Sequence, residues 1–338
     1  MAEEKNKLIV SISPHQRDKK TSWSMMRDTL IALVPTTLGG IVLFGAKALV
    51  LIAASLIAAL ISEWIMIKIR KRKPTLSDFG SAAITGILLA LIVSPALPWW
   101  MVAVGASIAI IVAKHLFGGL GYSVFNPALV GRAFLLASWP VIMTTWLRPF
   151  DMLTTATPLA LVKSQFNPDP ALSLNPLGYP ELAAFAIDPK MLITKMGEHI
   201  PVYWNLLTGV HGGSIGETSI ILLLIGAIYL FIRQVIDWRI PLSYIGTVFV
   251  MSALFGRDPV FSILAGGLIL GAFFMATDPV TSPVTKPGRW IFGIGAGILV
   301  VVIRHFGGYP EGVAYSILLM NAATPLLDRY AVGRRFGQ

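Results

Sequence analysis

The sequence contains no cysteine. Disulfides, thiolate metal sites and iron–sulfur clusters ligated by this chain alone are thereby excluded, no metal site is expected, and any electron carried here needs an organic cofactor. Charge is scarce too. Of 338 residues only 13% are charged, whereas 55% are hydrophobic and the mean hydropathy is +0.73; a soluble domain carries roughly 25% charged residues. A soluble fold could not bury that much apolar surface. The first two dozen residues also lack the short apolar core and small-residue cleavage site of a secretory signal, so the first apolar span is expected to direct insertion.

What the chain does have is a series of apolar runs close to the roughly 20 residues needed to cross a hydrocarbon core. Gly, Pro and charged positions divide them. Because a backbone in lipid must satisfy its own hydrogen bonds, the expected fold is an all-α polytopic membrane protein of about ten transmembrane helices in contact with lipid. Five spans are expected near 26–44, 47–67, 79–96, 99–114 and 126–145, and five more near 215–233, 240–256, 259–277, 288–304 and 311–328.

The formal net charge of +10 does not point to nucleic acid, since lysines and arginines cluster beside apolar runs and not along one solvated face. Lys5, Lys7, Arg17, Lys19 and Lys20 precede the first span, Lys68 and Arg70 to Lys73 follow the second, and Arg329, Arg334 and Arg335 follow the last. Ten spans put all three clusters on one side. Arg233, Arg239, Lys286 and Arg289 agree with that side. By the positive-inside bias both termini are then cytoplasmic and residues 146–214 form a long extracytoplasmic loop. The expected divisions are a cytoplasmic segment 1–25, a first five-helix repeat 26–145, the loop 146–214, a second repeat 215–328 and a cytoplasmic tail 329–338.

The two halves resemble each other. Lys114-His115-Leu116-Phe117-Gly118-Gly119 recurs as Arg304-His305-Phe306-Gly307-Gly308, and each copy leads into a last span containing an asparagine, Asn126 or Asn321. Five spans per repeat is an odd number, so the repeats must be inverted, an arrangement whose site commonly lies at the repeat interface near mid-membrane. Chance similarity between Gly-rich membrane segments is the competing explanation.

The segment 146–214 is too long for an ordinary connection, and such loops on a rigid scaffold commonly carry function. It holds Asp151-Met152-Leu153-Thr154-Thr155-Ala156-Thr157-Pro158-Leu159. This resembles the Asp-x-x-(Ser/Thr)-Gly-Ala-Thr signature at which a flavin transferase esterifies FMN, through its phosphate, to the last threonine. Asp151, Thr154, Ala156 and Thr157 match, and Thr155 stands where glycine is common. The acceptor must be a hydroxyl, and small neighbours must let the transferase approach an exposed backbone. A threonine-rich turn in which Asp151 or Thr154 bonds nearby N–H groups would read similarly.

Other segments extend the likeness: Ser13-Pro14-His15, Phe125-Asn126-Pro127-Ala128, Gly213-Ser214-Ile215-Gly216-Glu217-Thr218 and Thr277-Asp278-Pro279-Val280-Thr281-Ser282-Pro283. With the flavin motif they cover most of the chain and resemble the D-type membrane subunits of the Rnf complex, the ion-translocating ferredoxin:NAD oxidoreductase. The sister family comprises the B-type subunits of the sodium-pumping NADH:quinone oxidoreductase, which usually have a longer N-terminal region than the short lead before Met25. The resemblance implies a subunit inactive on its own, in a prokaryotic cell membrane. It implies covalent FMN on Thr157, a second non-covalent flavin such as riboflavin, and partners that include membrane, FMN-carrying and iron–sulfur subunits. Ferredoxin and NAD sites would lie on those partners, and Na⁺ or H⁺ would be exported. No Gly-rich dinucleotide fingerprint follows a predicted strand here.

Three charged residues are candidates for the ion path or flavin pocket. Glu217 has capping-box spacing with Ser214, so it also reads as a helix start. Asp278 ends an apolar helix in a proline-interrupted stretch, where it could line a path or cap a turn. Arg132 lies one to two turns into the fifth span, where it must pair or snorkel, snorkelling being the simpler expectation. Lys114, His115, Arg304 and His305 read as ordinary loop-facing charges, and Gly39-Gly40, Gly266-Gly267 and Gly293-x-Gly295-x-Gly297 as close-packing sites. Trp139, Trp146, Phe150, Tyr203 and Trp204 suit an interfacial aromatic belt better than a ring-stacking site. A cofactor-free inverted-repeat channel or transporter would share the ten-span layout.

Overall fold

The computed structural model describes residues 21–160, 163, 203–309 and 311–331. Ser13-Pro14-His15, most of the long loop and Arg334-Arg335 lie outside the described residues. The chain begins with α1 (Ser22–Ile69), capped reciprocally by Thr21 and Ser24. Two separate spans are expected over this stretch; the structure joins them into one element interrupted only at Gly45, whose φ of 64° and ψ of −147° suit a residue without a Cβ. α2 (Leu76–Leu91) follows, with a Thr75–Asp78 capping box. α3 (Trp99–Ile108) continues as a π-helical stretch through Ala109–His115. α4 (Pro127–Ser138) starts at Asn126, whose side chain accepts from the N–H groups of Ala128 and Leu129, and a short α5 (Pro140–Met143) comes next.

Beyond a two-stranded hairpin and the undescribed part of the loop, the second half contains α6 (Ile220–Ile232) and α7 (Arg239–Leu254). Then come α8 (Pro259–Leu264), α9 (Leu268–Leu270) with its π-helical continuation Gly271–Met275, α10 (Lys286–Phe306) and α11 (Val313–Tyr330). α1 and α10 are long and apolar enough to cross a membrane by length and composition, and α2, α3, α4, α6 and α7 are shorter apolar helices. Large aliphatic side chains such as Leu38, Val42, Ile57 and Ile61 of α1 face outward, a surface suited to hydrocarbon.

Three expected spans are not continuous helices. Residues 79–96 stop being helical at Leu91, ahead of Ser94-Pro95; residues 126–145 stop at Ser138, ahead of Pro140; and residues 259–277 break at Ala265-Gly266-Gly267. Proline removes a donor and clashes with the preceding turn, and both glycines at the third break have positive φ. The span expected from residue 215 likewise becomes helical only at Ile220. Such irregular backbone is tolerated at membrane depth only when protein satisfies it. Here the two irregular stretches satisfy each other, Ile215 N–H donating to the Val93 carbonyl (3.3 Å) and Gly216 N–H to that of Leu91 (2.7 Å).

α1 packs on α2, α3 and α6; α7 and α11 pack on α10; α4 contacts both α3 and α11. Inside the first group lies a charged cluster. Lys114 Nζ is 2.8 Å from Glu63 Oε2 and 3.3 Å from the Asp78 carbonyl, while His115 Nε2 is 3.1 Å from the same Glu63 oxygen. Lys114 and Glu63 are 1% and 0% exposed, so the loop-facing expectation for Lys114 is wrong: the widened π-helical end carries it into the interior.

Breaking a buried pair strands the partner charge at roughly 3–5 kcal/mol. Lys114→Met is therefore expected to lower the melting temperature and yield of the detergent-solubilised chain. Adding Glu63→Gln should recover most of the loss. A Lys114→Met chain as stable as its parent would contradict the assignment.

Candidate functional site

The motif segment folds as a small hairpin. β1 (Trp146–Leu147) pairs antiparallel with β2 (Thr154–Thr155), Trp146 opposite Thr155 and Leu147 opposite Thr154, and Leu147 also bridges to Gly213. Phe150 and Met152 adopt positive φ (66° and 54°) to close the turn. The Arg148 N–H donates to the Leu153 carbonyl (2.8 Å), and the Phe150 N–H to the Leu43 carbonyl (3.0 Å), which fastens the tip to α1. Asp151 lies on this exposed tip, 3.8 Å from Arg148, in a solvated pair of little energetic weight.

After β2 the chain turns inward. Thr157 is only 4% exposed, and its Oγ1 accepts from the Ala160 N–H (3.2 Å), capping a short turn of helix. The exposed backbone expected at the acceptor is thus absent: this cap and the packing around it bury the hydroxyl. Beside it lies a cavity of about 230 Å³ whose wall includes Arg132, Ala156, Thr157, Glu217, Tyr309 and Glu311.

Three charged side chains line this space, and a fourth stands behind Gly266 of its wall. Arg132 of α4 pairs through Nη2 with Glu311 Oε2, which corrects the snorkelling expectation, because a carboxylate between α10 and α11 is within reach. Glu311 Oε1 is buried without a hydrogen-bond partner among the described residues. Glu217 Oε1 accepts from the Ser214 N–H (3.1 Å), which is half of the expected capping box, and its Oε2 lies where a Cβ on Gly267 would sit.

Arg304 is the fourth charge. It is 3% exposed and donates to the carbonyls of Ser262 (2.6 Å), Ala265 (3.0 Å) and Gly266 (3.3 Å), the C-terminal groups left free where α8 breaks. The loop-facing expectation for Arg304 fails for that reason. Gly266 and Gly267 have positive φ at this break, so they are more than close-packing positions.

The structure thus brings together Ala156, Thr157, Glu217 and Arg132. Asp151 and Thr154 remain on the hairpin. Asp278 faces a second cavity, of about 310 Å³, shared with Lys114, Asn126, Thr85 and Thr277. It caps its own turn, accepting from the Val280 N–H (3.2 Å) and Thr281 Oγ1 (3.3 Å). The aromatic group divides. Trp146 lines the first cavity, Trp139 packs edge-on against Trp100 and Phe134, and Phe150 and Trp204 are exposed. Sequence reasoning misses Tyr309 and Glu311; the one available signal is an acidic residue at the head of an apolar run just after His305-Phe306-Gly307-Gly308.

A family model described as "NQR2, RnfD, RnfE family" matches residues 9–337. The chain is 44% identical to the D subunit of the proton-translocating ferredoxin:NAD(+) oxidoreductase complex of Clostridium ljungdahlii, over 98% of this chain and 97% of that protein. It is 42% identical to the D subunit of the Na(+)-translocating ferredoxin:NAD(+) oxidoreductase complex of Acetobacterium woodii, over 98% and 95%. Its identity to the D subunit of the ion-translocating oxidoreductase complex of Tolumonas auensis is 37%, over 97% and 99%.

One pH dependence follows from the wall of the loop. Burial pushes the His211 imidazole below its ordinary 6.5, outweighing the Gly212 carbonyl, Glu217 and the Thr218 backbone, which pull it up. The folded state therefore binds this proton less well than the unfolded state. Its contribution to local stability is complete above the ordinary value and declines as pH falls below it. Hydrogen exchange over residues 209–218, corrected for intrinsic rates, should speed up on acidification below about pH 6.5, and His211→Gln should remove the step. An unchanged wild-type profile would contradict the assignment.

Proposed function

The chain belongs to the NQR2, RnfD, RnfE family, and from that premise we propose that it is the D-type membrane subunit of an ion-translocating ferredoxin:NAD oxidoreductase. Full-length identity to relatives that carry that name supports the reading. The sister assignment, a B-type subunit of a quinone reductase, has no comparable support among these relatives. Proteins named for protons and for sodium match almost equally well, so identity does not choose the ion.

In this reading Thr157 carries FMN through a phosphoester, and the single observation behind it is that the Thr157 hydroxyl borders a cavity walled by Arg132, Glu217 and Glu311. The residues fit such a group. Thr157 Oγ1 would be the ester oxygen, Arg132 places a guanidinium where negative charge would enter, and Leu136, Met143 and Leu270 supply an apolar wall for a flat ring. The cavity is somewhat smaller than the roughly 300 Å³ at which cofactor pockets begin, so it suits the ring portion. When bound, flavin supplies reversible electron transfer. Because Thr157 is buried, a flavin transferase would have to reach it before the segment packs.

The ten-span inverted repeat is part of the same proposal. It is supported by contacts between α1 and α6 and between α4 and α11, which pair corresponding members of the two halves, and by burial of both Lys114 and Arg304. The charge bias then puts the Thr157 cavity on the extracytoplasmic side and the Lys114 cavity toward the cytoplasm. A second, non-covalent flavin would suit the latter, whose wall offers Asn126, Thr85 and Thr277 as hydrogen-bonding groups. Electrons from ferredoxin would reach this chain and leave it through iron–sulfur and flavin-carrying partners in the cell membrane.

Co-expression with a flavin transferase tests the attachment. The wild-type chain should give a fluorescent band on a denaturing gel, Thr157→Ala should give none, and Thr157→Ser should retain part of it. A wild-type chain without fluorescence, or a band that survives Thr157→Ala, would sink the proposal and leave a cofactor-free transporter as the better reading.

A further inference from the structure

We propose that Glu311 takes up a proton when an electron enters the Thr157 cavity, offsetting the charge that the electron adds. The inference rests on the flavin reading above. It starts from the unequal condition of the two Glu311 oxygens: Oε2 meets Arg132, and Oε1 is buried with no partner among the described residues. A carboxylate oxygen in that position is costly unless it gains a donor or a proton.

The charged groups facing Glu311 come from every neighbouring element. Arg132 stands on α4, Glu217 ahead of α6 and Arg304 on α10; Tyr309 lies in the segment before Glu311 and Tyr315 on α11. Two arginines and two glutamates then sum to zero.

A phosphodiester at Thr157 adds one negative charge, and each electron adds another. Uncompensated charge in a desolvated cavity is strongly disfavoured. Glu217 Oε1 already has the Ser214 N–H as a donor, and Arg304 is committed to three carbonyls. Glu311 Oε1 is the oxygen of these two carboxylates that is buried with no partner among the described residues, and so the position open to a compensating proton. When one electron is delivered to the flavin by the reduced partner protein, one proton passes from extracytoplasmic water to Oε1 and forms one O–H bond, which is the full capacity of this carboxylate. Reoxidation releases both.

The test uses the flavinylated full-length chain in lipid nanodiscs, with covalent flavin first verified by gel fluorescence. In wild type the flavin midpoint potential should fall as pH rises, approaching about 59 mV for each tenfold drop in proton concentration in a one-electron couple. Glu311→Gln should remain fluorescent with a much flatter slope, and Glu311→Asp should restore the slope. Equal slopes in fluorescent wild type and Glu311→Gln would overturn the role of Glu311 and leave the flavin reading intact, whereas a wild-type chain without covalent flavin would remove both. Should Glu311→Gln fail to fold, redox-difference infrared spectra of the wild type decide. A protonated-carboxyl band gained on reduction supports the proposal, and its absence overturns it.

Discussion

A helix interrupted in a protein interior leaves carbonyl and N–H groups with no water to bond, and the carbonyls at the interruption at Ala265–Gly267 are held by one side chain, Arg304. Its guanidinium spans the carbonyls of Ser262, Ala265 and Gly266, so the chain can turn there without stranding its last acceptors. Much of the Thr157 cavity depends on that turn. Gly266 and Gly267 form part of the wall, Leu159 of the motif segment seats against Gly266, and Glu217 closes on Gly267. The breaks after Leu91 and before Ile220 obey the same constraint mainly through backbone, the N–H groups of Ile215 and Gly216 donating to the carbonyls of Val93 and Leu91, with side-chain help from Ser94 and Glu217.

The buried charges fall into two groups with different chemistry. Around Glu63 the cations are Lys114 and, when protonated, His115, and the neighbouring cavity also reaches Asp278. Around Thr157 the cations are arginines, which keep their charge where a lysine would lose it more readily. In the proposed topology the groups lie toward opposite faces of the membrane. That separation would serve the proposed electron relay, each face managing its own charge.

Much of this is legible in the sequence, and what is not has a common cause. Hydropathy places several helices to within a few residues, since α7, α10 and α11 follow apolar runs bounded by Arg, Lys and Gly. The motif points to Thr157, and the cavity beside it joins Thr157 to Glu217 and Arg132. Helix breaks escape a hydropathy reading because Ser94-Pro95 and Gly266-Gly267 sit inside runs whose mean hydropathy stays high, and hydropathy does not register hydrogen bonding. Lys114 and Arg304 are misplaced by it because a charge at a span end reads as solvated unless its partner is known. Those partners, Glu63 and the carbonyls of α8, are 51 residues and about 40 residues away in the chain.

If the cavity beside Thr157 is the flavin site, with Arg132, Glu217 and Glu311 in its wall, an experimental density map of the flavinylated complex will show continuous density from Thr157 Oγ1 into that cavity. Flavin density attached elsewhere on the loop, or a ring lying outside a cavity that stays closed, would contradict that reading.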